Sequence, residues 1–250
     1  MSDSLLVSRD GAVLRLTLNR PDKKNALTGA MYHALTAALE EAAREPSIGA
    51  ILIAGAAGNF TAGNDIADFI ALAQSPDAFP ALDFIRALAR CDTPLVAAVD
   101  GVAIGIGTTM LFHCDLVYSA PAARFRMPFV DLCLVPEAGA SLLVPQRVGL
   151  QKATEWLLLG EAFGAEEACR LGLVNSVVAS DELAEHALSR AHALAAKPRA
   201  ALAATRRLIR GDRNGLLAHI EEEARAFSVA MRSAEARAAF ATFLSKTKKT

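Results

Sequence analysis

The chain has 250 residues, of which 53% are hydrophobic and 21% charged, and its 26 Lys and Arg face 27 Asp and Glu for a net charge of −1. This balance excludes disorder as the dominant state. It also supplies no global basic field, so nucleic acid is not the default partner. A chain of this length buries a large core as one domain, with room for a small appendage.

The four cysteines, Cys91, Cys114, Cys133 and Cys169, form no CxxC and no Cys/His cluster beyond the adjacent His113 and Cys114. That spacing argues against zinc and for reduced, buried thiols. Residues Met1 to Ser4 lack a basic stretch leading into an apolar one, so no secretory signal is expected. The longest uncharged run lies between Glu45 and Asp65, but it includes four glycines, Pro46, Asn59 and Asn64. It reads as strand and loop, not as a membrane span, and a cytoplasmic location is the simplest expectation.

Val13 to Asn19 alternates apolar and polar residues, which predicts a strand. Met31, Leu35, Ala38, Leu39 and Ala42 recur at helical spacing between Thr28, a candidate N-cap, and Arg44. Ala50 to Ala54 predicts a buried strand and Gly55 to Asp65 a loop, followed by helical sequence in two pieces around Pro76. Pro94 to Val99 is a second buried strand, Gly107 to His113 a short helix and Asp115 to Ala120 a third strand. This alternation is an α/β layout with crossovers. Beyond about Glu137 the pattern turns helical, with one short strand at Leu173 to Val178. Helices are predicted over Asp181 to Ala196, Arg199 to Arg210, Leu216 to Met231 and Ala234 to Leu244. This second half reads as a helical appendage, not as an independent sheet.

Three segments could carry chemistry. Asn59 to Ile66 follows a buried strand and opens a helix; its small residues let a ligand approach the backbone, although Asn64 or Asp65 could simply cap the helix. Gly101 to Met110 places glycines at 101, 105 and 107 before a helix. Exposed N–H groups there could hold an oxyanion. A dinucleotide fingerprint starting at Gly105 would need a glycine where Met110 stands, and a tight packing turn is the plain alternative. In Leu132 to Ser141, Glu137 is the only charged residue between Asp131 and Arg147. Desolvation would raise its pKa and suit a general base. A helix starting at Pro136 would instead favour its ionised form. The five histidines form no recognisable catalytic frame with Ser or Asp, no GxSxG is present, and His113 reads as a satisfied core residue.

In this order the segments resemble the crotonase, or enoyl-CoA hydratase/isomerase, family. The resemblance is carried by Asn19 to Leu27, FTAGND (60–65), GVAIGIG (101–107), CDLVYSA (114–120), VPEAGAS (135–141), Leu171 to Asn175 and EARAAFATFL (235–244). It implies a core of repeated ββα units over residues 1–195 and a C-terminal helical trimerisation region over 196–250, assembled as a homotrimer or a dimer of trimers. It implies an acyl-CoA thioester whose carbonyl sits between the N–H groups of Ala62 and Ile106, with CoA and acyl contacts from Lys23, Lys24, Gly63, Asn64, Asp65, Ile66, Gly105, Thr109 and Phe129. Lys246, Lys248 and Lys249 would reach a neighbour's CoA, and Phe69, Phe84 and Phe129 would wall the pocket.

The two glutamates of the family's hydratases align with Thr109 and Phe129, which cannot move the required protons. Glu137 instead falls where a subgroup resembling Δ3,Δ2-enoyl-CoA isomerases carries its single glutamate, and Gly63-Asn64-Asp65 matches that subgroup's GND loop. The resemblance therefore implies an isomerase of fatty acid metabolism that needs neither metal nor redox cofactor, CoA being carried by the substrate. The alternatives are an enoyl-CoA hydratase or another crotonase-type reaction and, from a different class, a non-catalytic CoA- or RNA-binding relative.

Overall fold

The computed structural model describes residues 4–73 and 79–247. Its strands are β1 (Leu5–Asp10), β2 (Val13–Leu18), β3 (Ala50–Gly55), β4 (Leu95–Val99), β5 (Val102–Ile104), β6 (Leu116–Ser119), β7 (Arg124–Arg126), β8 (Phe163–Gly164) and β9 (Ser176–Val177). The helices in the first half are α1 (Gly29–Arg44), α2 (Ile66–Ala73), α3 (Pro80–Arg90) and α4 (Ile106–Thr109). Those in the second half are α5 (Ala140–Val148), α6 (Leu150–Thr154), α7 (Ala165–Arg170), α8 (Leu183–Ala195), α9 (Arg199–Arg210), α10 (Arg213–Met231) and α11 (Ala234–Thr247).

The main sheet runs β1-β2-β3-β4-β6-β9, with β1 antiparallel to β2 and every later pair parallel. Parallel strands are covered on both faces, and the alternation of side chains shows it. Leu14, Leu16, Leu18, Ile51 and Ile53 join the core shared with α1 and α3, whereas Val13, Ala50, Leu52, Val96 and Ala98 pack with Leu183, Ala187 and Ala191 of α8. Thr28 caps α1 as predicted, its hydroxyl accepting the Met31 N–H at 3.3 Å.

The helices beyond residue 196 are tied to the core by charge. Arg206 and Arg210 of α9 meet Asp115 at 2.7 and 3.0 Å, and Glu221 of α10 meets Arg86 of α3 at 2.7 Å.

Some expectations change. β1 went unread because four of its six positions are exposed, leaving no alternation. A second sheet, β5-β7-β8, is built from strands of two and three residues, too short for a periodic signal. The strand at 173–178 shrinks to Ser176–Val177. The helix expected from Leu216 starts at Arg213, because Asp212 caps it by accepting the Gly215 N–H at 3.0 Å. All four cysteines are free, but Cys133 is exposed and Cys169 only partly buried. Cys133 ends a short 3-10 turn with φ +56°, on a surface loop. The segment around Pro76 lies outside the described residues.

Candidate active site

The site forms where the chain leaves β3 and β4. In open α/β sheets, ligands bind beyond the carboxyl ends of the strands. After β4 the chain turns through Gly101, with φ +55°, out of the main sheet and into β5. The loop after β3 lies alongside it. Thr61 N–H donates to the Val102 carbonyl at 2.9 Å, and Ile104 N–H donates back to Thr61 at 3.0 Å. Glycine permits this approach. A Cβ added at Gly63, whose φ is +86°, would lie 2.6 Å from the Ile104 carbonyl oxygen, and one at Gly107 would lie 2.6 Å from the Thr61 methyl group. Buried Asn25 ties the first loop down, donating to the carbonyls of Ala56 (2.9 Å) and Asn59 (2.7 Å).

Following each amide of these loops shows which donors are free. On the first loop, Ala62 N–H donates to Lys24 (2.8 Å), Gly63 N–H to the Thr61 hydroxyl (3.1 Å) and Asp65 N–H to Leu27 (2.9 Å). Asn64 is the amide between Phe60 and Asp65 with no acceptor among the described residues. On the second loop, Gly105 N–H is held by Arg126 (2.8 Å), and Thr108 and Thr109 donate to Gly105 (2.8 and 3.0 Å). That leaves Ile106 and Gly107 at the head of α4. The Ile106 N–H, expected as a donor, has no acceptor among the described residues. The expectation for Ala62 is corrected: its N–H is committed to Lys24, and the available partner across the two loops is Asn64.

Glu137 enters the same place from a third direction. It is 9% exposed, and its Oε1 accepts the Thr109 hydroxyl proton at 2.6 Å. Thr109 ends the four-residue helix that Ile106 begins, so the residue that binds the carboxyl and the residue that carries the free amide are about 4.5 Å apart along one helix axis. Burial pushes the Glu137 pKa up to about 8, the Thr109 hydrogen bond opposes this, and the nearby negative charge of Glu223 adds to it. The segment leading into α5 uses left-handed backbone at Cys133, Ala138 and Gly139, with φ +56°, +61° and +71°. A non-glycine residue there costs roughly 1–2 kcal/mol, so neighbours must hold Ala138 in place. One is His113, as sequence suggested a satisfied core residue; its Nε2 lies 2.7 Å from the Ala138 carbonyl. Burial lowers its pKa to about 4. The ring is therefore neutral, and because a carbonyl only accepts, Nε2 carries the proton.

α5 begins at Ala140, not at Pro136. Glu137 therefore precedes the helix, and the dipole that could have favoured its ionised form acts further on.

The remaining residues divide clearly. Asp65 pairs with Arg20 at 3.0 Å and accepts the Ala67 and Asp68 N–H groups at 3.2 and 3.3 Å, so it caps α2 and does not offer a free carboxylate to a ligand. Ile66 packs partly buried against the core, and Gly105 faces open space where a side chain would be. Lys23 and Lys24 are exposed beside the first loop. Phe69, Phe84 and Phe129 are all buried; Phe69 meets Phe227 and Phe240 at 6.0 and 5.9 Å, joining α2 to the C-terminal helices. Lys246 lies in α11, its side chain not among those described, and Lys248 and Lys249 lie outside the described residues.

Tyr32 was not foreseen. Its hydroxyl donates to the Asn64 side-chain oxygen at 2.5 Å, and burial followed by the charges of Glu137 and Asp68 raises its pKa well above normal. Its place within the apolar stripe of α1 disguised it as ordinary core. A narrow cleft lined by Leu27, Tyr32, Asn64, Phe69 and Phe79 opens beside it. Among the described residues no group of His, Cys, Asp and Glu gathers as a metal site, and no helix is long and apolar enough to cross a membrane.

A site with unpaired amides from two adjacent loops and one buried carboxyl beside them suits chemistry next to a carbonyl. The family model described as enoyl-CoA hydratase/isomerase matches residues 8–250. The chain belongs to the enoyl-CoA hydratase/isomerase family, with the crotonase-type α/β fold. It is similar to the 2,3-dehydroadipyl-CoA hydratase of Escherichia coli K12, 35% identical over 97% of this chain and 96% of the relative. It is also similar to enoyl-CoA delta isomerase 2 of Rattus norvegicus, 32% identical over 89% of this chain and 58% of the relative. The crystal structure of an enoyl-CoA hydratase/isomerase from Pseudoalteromonas atlantica T6c superposes with a TM-score of 0.92 at 40% identity, covering 97% of each chain. The protein is an acyl-CoA enzyme of this family, whose relatives carry both hydratase and isomerase names.

Proposed function

We propose that this protein is a Δ3,Δ2-enoyl-CoA isomerase in which Glu137 alone carries the proton. The observation behind this reading is that Glu137 is hydrogen-bonded to a threonine, Thr109, while Phe129 fills the other position where a hydratase would place an acid. Adding water to a double bond needs one group to activate the water and another to protonate carbon. Moving a double bond needs one base that takes a proton from C2 and returns it to C4.

In the proposed mechanism the thioester oxygen of a 3-enoyl-CoA lies between the Asn64 and Ile106 N–H groups. Glu137 Oε2, which has no partner among the described residues, removes the C2 proton. Negative charge moves onto the thioester oxygen as the dienolate forms, where two pre-aimed donors stabilise it; one such donor is worth about 3 kcal/mol. The carboxyl group then delivers its proton to C4. With a pKa pushed up to about 8, roughly a tenth of Glu137 is ionised at pH 7, and that fraction is a strong base. No further cofactor is needed, because CoA arrives with the substrate.

The exposed Lys23 and Lys24 are proposed to face the CoA phosphates; the Lys24 carbonyl, holding Ala62 N–H, fixes this corner to the oxyanion loop. Self-association as a trimer or dimer of trimers is proposed from the apolar side chains left uncovered on one protomer, with Leu208 85% exposed, Ile209 79% and Val229 75%.

The hydratase reading draws on the names of relatives such as the 2,3-dehydroadipyl-CoA hydratase. Purified protein offered 3-hexenoyl-CoA and crotonyl-CoA separates the two. The isomerase reading expects turnover of the first to dominate and to fall about a thousandfold in Glu137→Gln. Faster hydration of crotonyl-CoA that survives this substitution would reject it.

A further inference from the structure

The turn that presents Glu137 is gripped by a helix far along the chain. Glu223 of α10 is 7% exposed, yet it meets three donors at the head of α5. Its Oε2 accepts the Gly139 N–H at 2.6 Å, and its Oε1 accepts the Ser141 N–H at 2.8 Å and the Ser141 hydroxyl at 2.6 Å. A helix N-terminus favours a carboxylate there. α10 also presses on the turn itself, since a Cβ added at Gly139 would lie 2.7 Å from Leu216 Cδ1. His113 holds the neighbouring Ala138 carbonyl from the opposite side. The two grips bracket the one left-handed alanine next to Glu137.

The third member of the cluster, His219, brings its Nε2 to 2.7 Å from the Ser141 hydroxyl. A serine, a histidine and a glutamate thus meet, but the carboxylate binds the hydroxyl and not the far ring nitrogen. The imidazole is not oriented as the base of a charge-relay triad, so the cluster serves as an anchor.

We propose that Glu223 is a positioning residue for Glu137, locking the Ala138–Gly139 turn so that the carboxyl group reaches both Thr109 and the substrate. The proposal rests on the reading of Glu137 as the proton carrier. Position and basicity are coupled in this arrangement, because the buried charge of Glu223 also raises the proton affinity of Glu137. The other titratable groups around the turn are His113, His219 and, across the cleft, Tyr32.

The test uses the full chain with Glu223→Gln and Ser141→Ala. Two things are read: kcat and KM for 3-hexenoyl-CoA across pH, and the infrared carbonyl band of Glu137, identified by its loss in Glu137→Gln. Glu223→Gln is expected to lower kcat about 10- to 100-fold with KM within about threefold. It should also broaden the Glu137 band and move its titration midpoint to lower pH. Ser141→Ala, which removes one donor of the three, is expected to lower kcat about two- to fivefold with KM unchanged. A folded Glu223→Gln protein with unchanged kcat, band and midpoint overturns the proposal, as does a loss confined to KM. Should that variant fail to fold, Ser141→Ala decides, and unchanged kcat there overturns it. If the wild type does not isomerise 3-hexenoyl-CoA at all, the functional reading fails, while the infrared comparison still decides the role of Glu223.

Discussion

Thr109 donates its hydroxyl proton to Glu137 Oε1 across 2.6 Å, both groups being buried. The bond leaves one carboxyl oxygen for the substrate and fixes which one. It also pulls the Glu137 pKa down against the larger effect of burial. Thr109→Val keeps the shape and removes the donor. The expected result is a kcat lowered about tenfold, with the ascending limb of the pH–rate profile displaced to higher pH. An unmoved profile would mean that the hydroxyl does not govern the carboxyl.

The buried carboxyl leaves a signature in stability. The folded-state pKa of Glu137 is raised from an ordinary 4.5 to about 8, so its contribution is complete below the lower value and is lost as pH rises toward the upper one. His113 acts in the opposite sense, since its pKa falls from 6.5 to about 4 and its contribution is lost as pH drops through that window. Above pH 6.5 only Glu137 of this pair still changes stability. The wild type should therefore lose up to about 1.4 kcal/mol per pH unit between roughly pH 6.5 and 8. Urea titrations of wild type and Glu137→Gln would show a slope in the first and little in the second.

A main-chain donor can be deleted with proline. Ile106 is the first residue of α4, the helical position where proline is best accommodated. Ile106→Pro removes the proposed oxyanion donor, and Ile106→Ala removes the same buried side chain while keeping the N–H. The proline variant should be about a hundredfold slower in kcat than the alanine variant. Equal rates for the two would remove Ile106 from the oxyanion site.

Leu208 and Ile209 project from α9 almost fully exposed, although α9 is anchored through Arg206 and Arg210 on its other side. The double substitution Leu208→Asp and Ile209→Asp should leave the protomer folded and shift its sedimentation from an oligomer to a monomer. A wild type that already sediments as a monomer would refute the proposed assembly.

What the sequence determined by itself was whatever depends on neighbours along the chain. The stripe of α1, its Thr28 cap, the buried runs of β3 and β4 and the full extent of α9 were all legible, because helical and strand periods are written locally. A short helix after the glycine turn was legible for the same reason, although it opens at Ile106 and not at Gly107. Tertiary structure alone decided the rest. Ala62 was the expected donor until the Lys24 carbonyl was seen to take its N–H, leaving that of Asn64. Asp65 looked available until Arg20 and the start of α2 engaged it. The start of α5 at Ala140 left Glu137 outside the helix, and Glu223, distant in sequence, occupied the helix head instead. Whether an amide or a carboxylate is free depends on which partner reaches it across the fold, and hydrogen bonds between remote segments leave no periodic trace in a single chain.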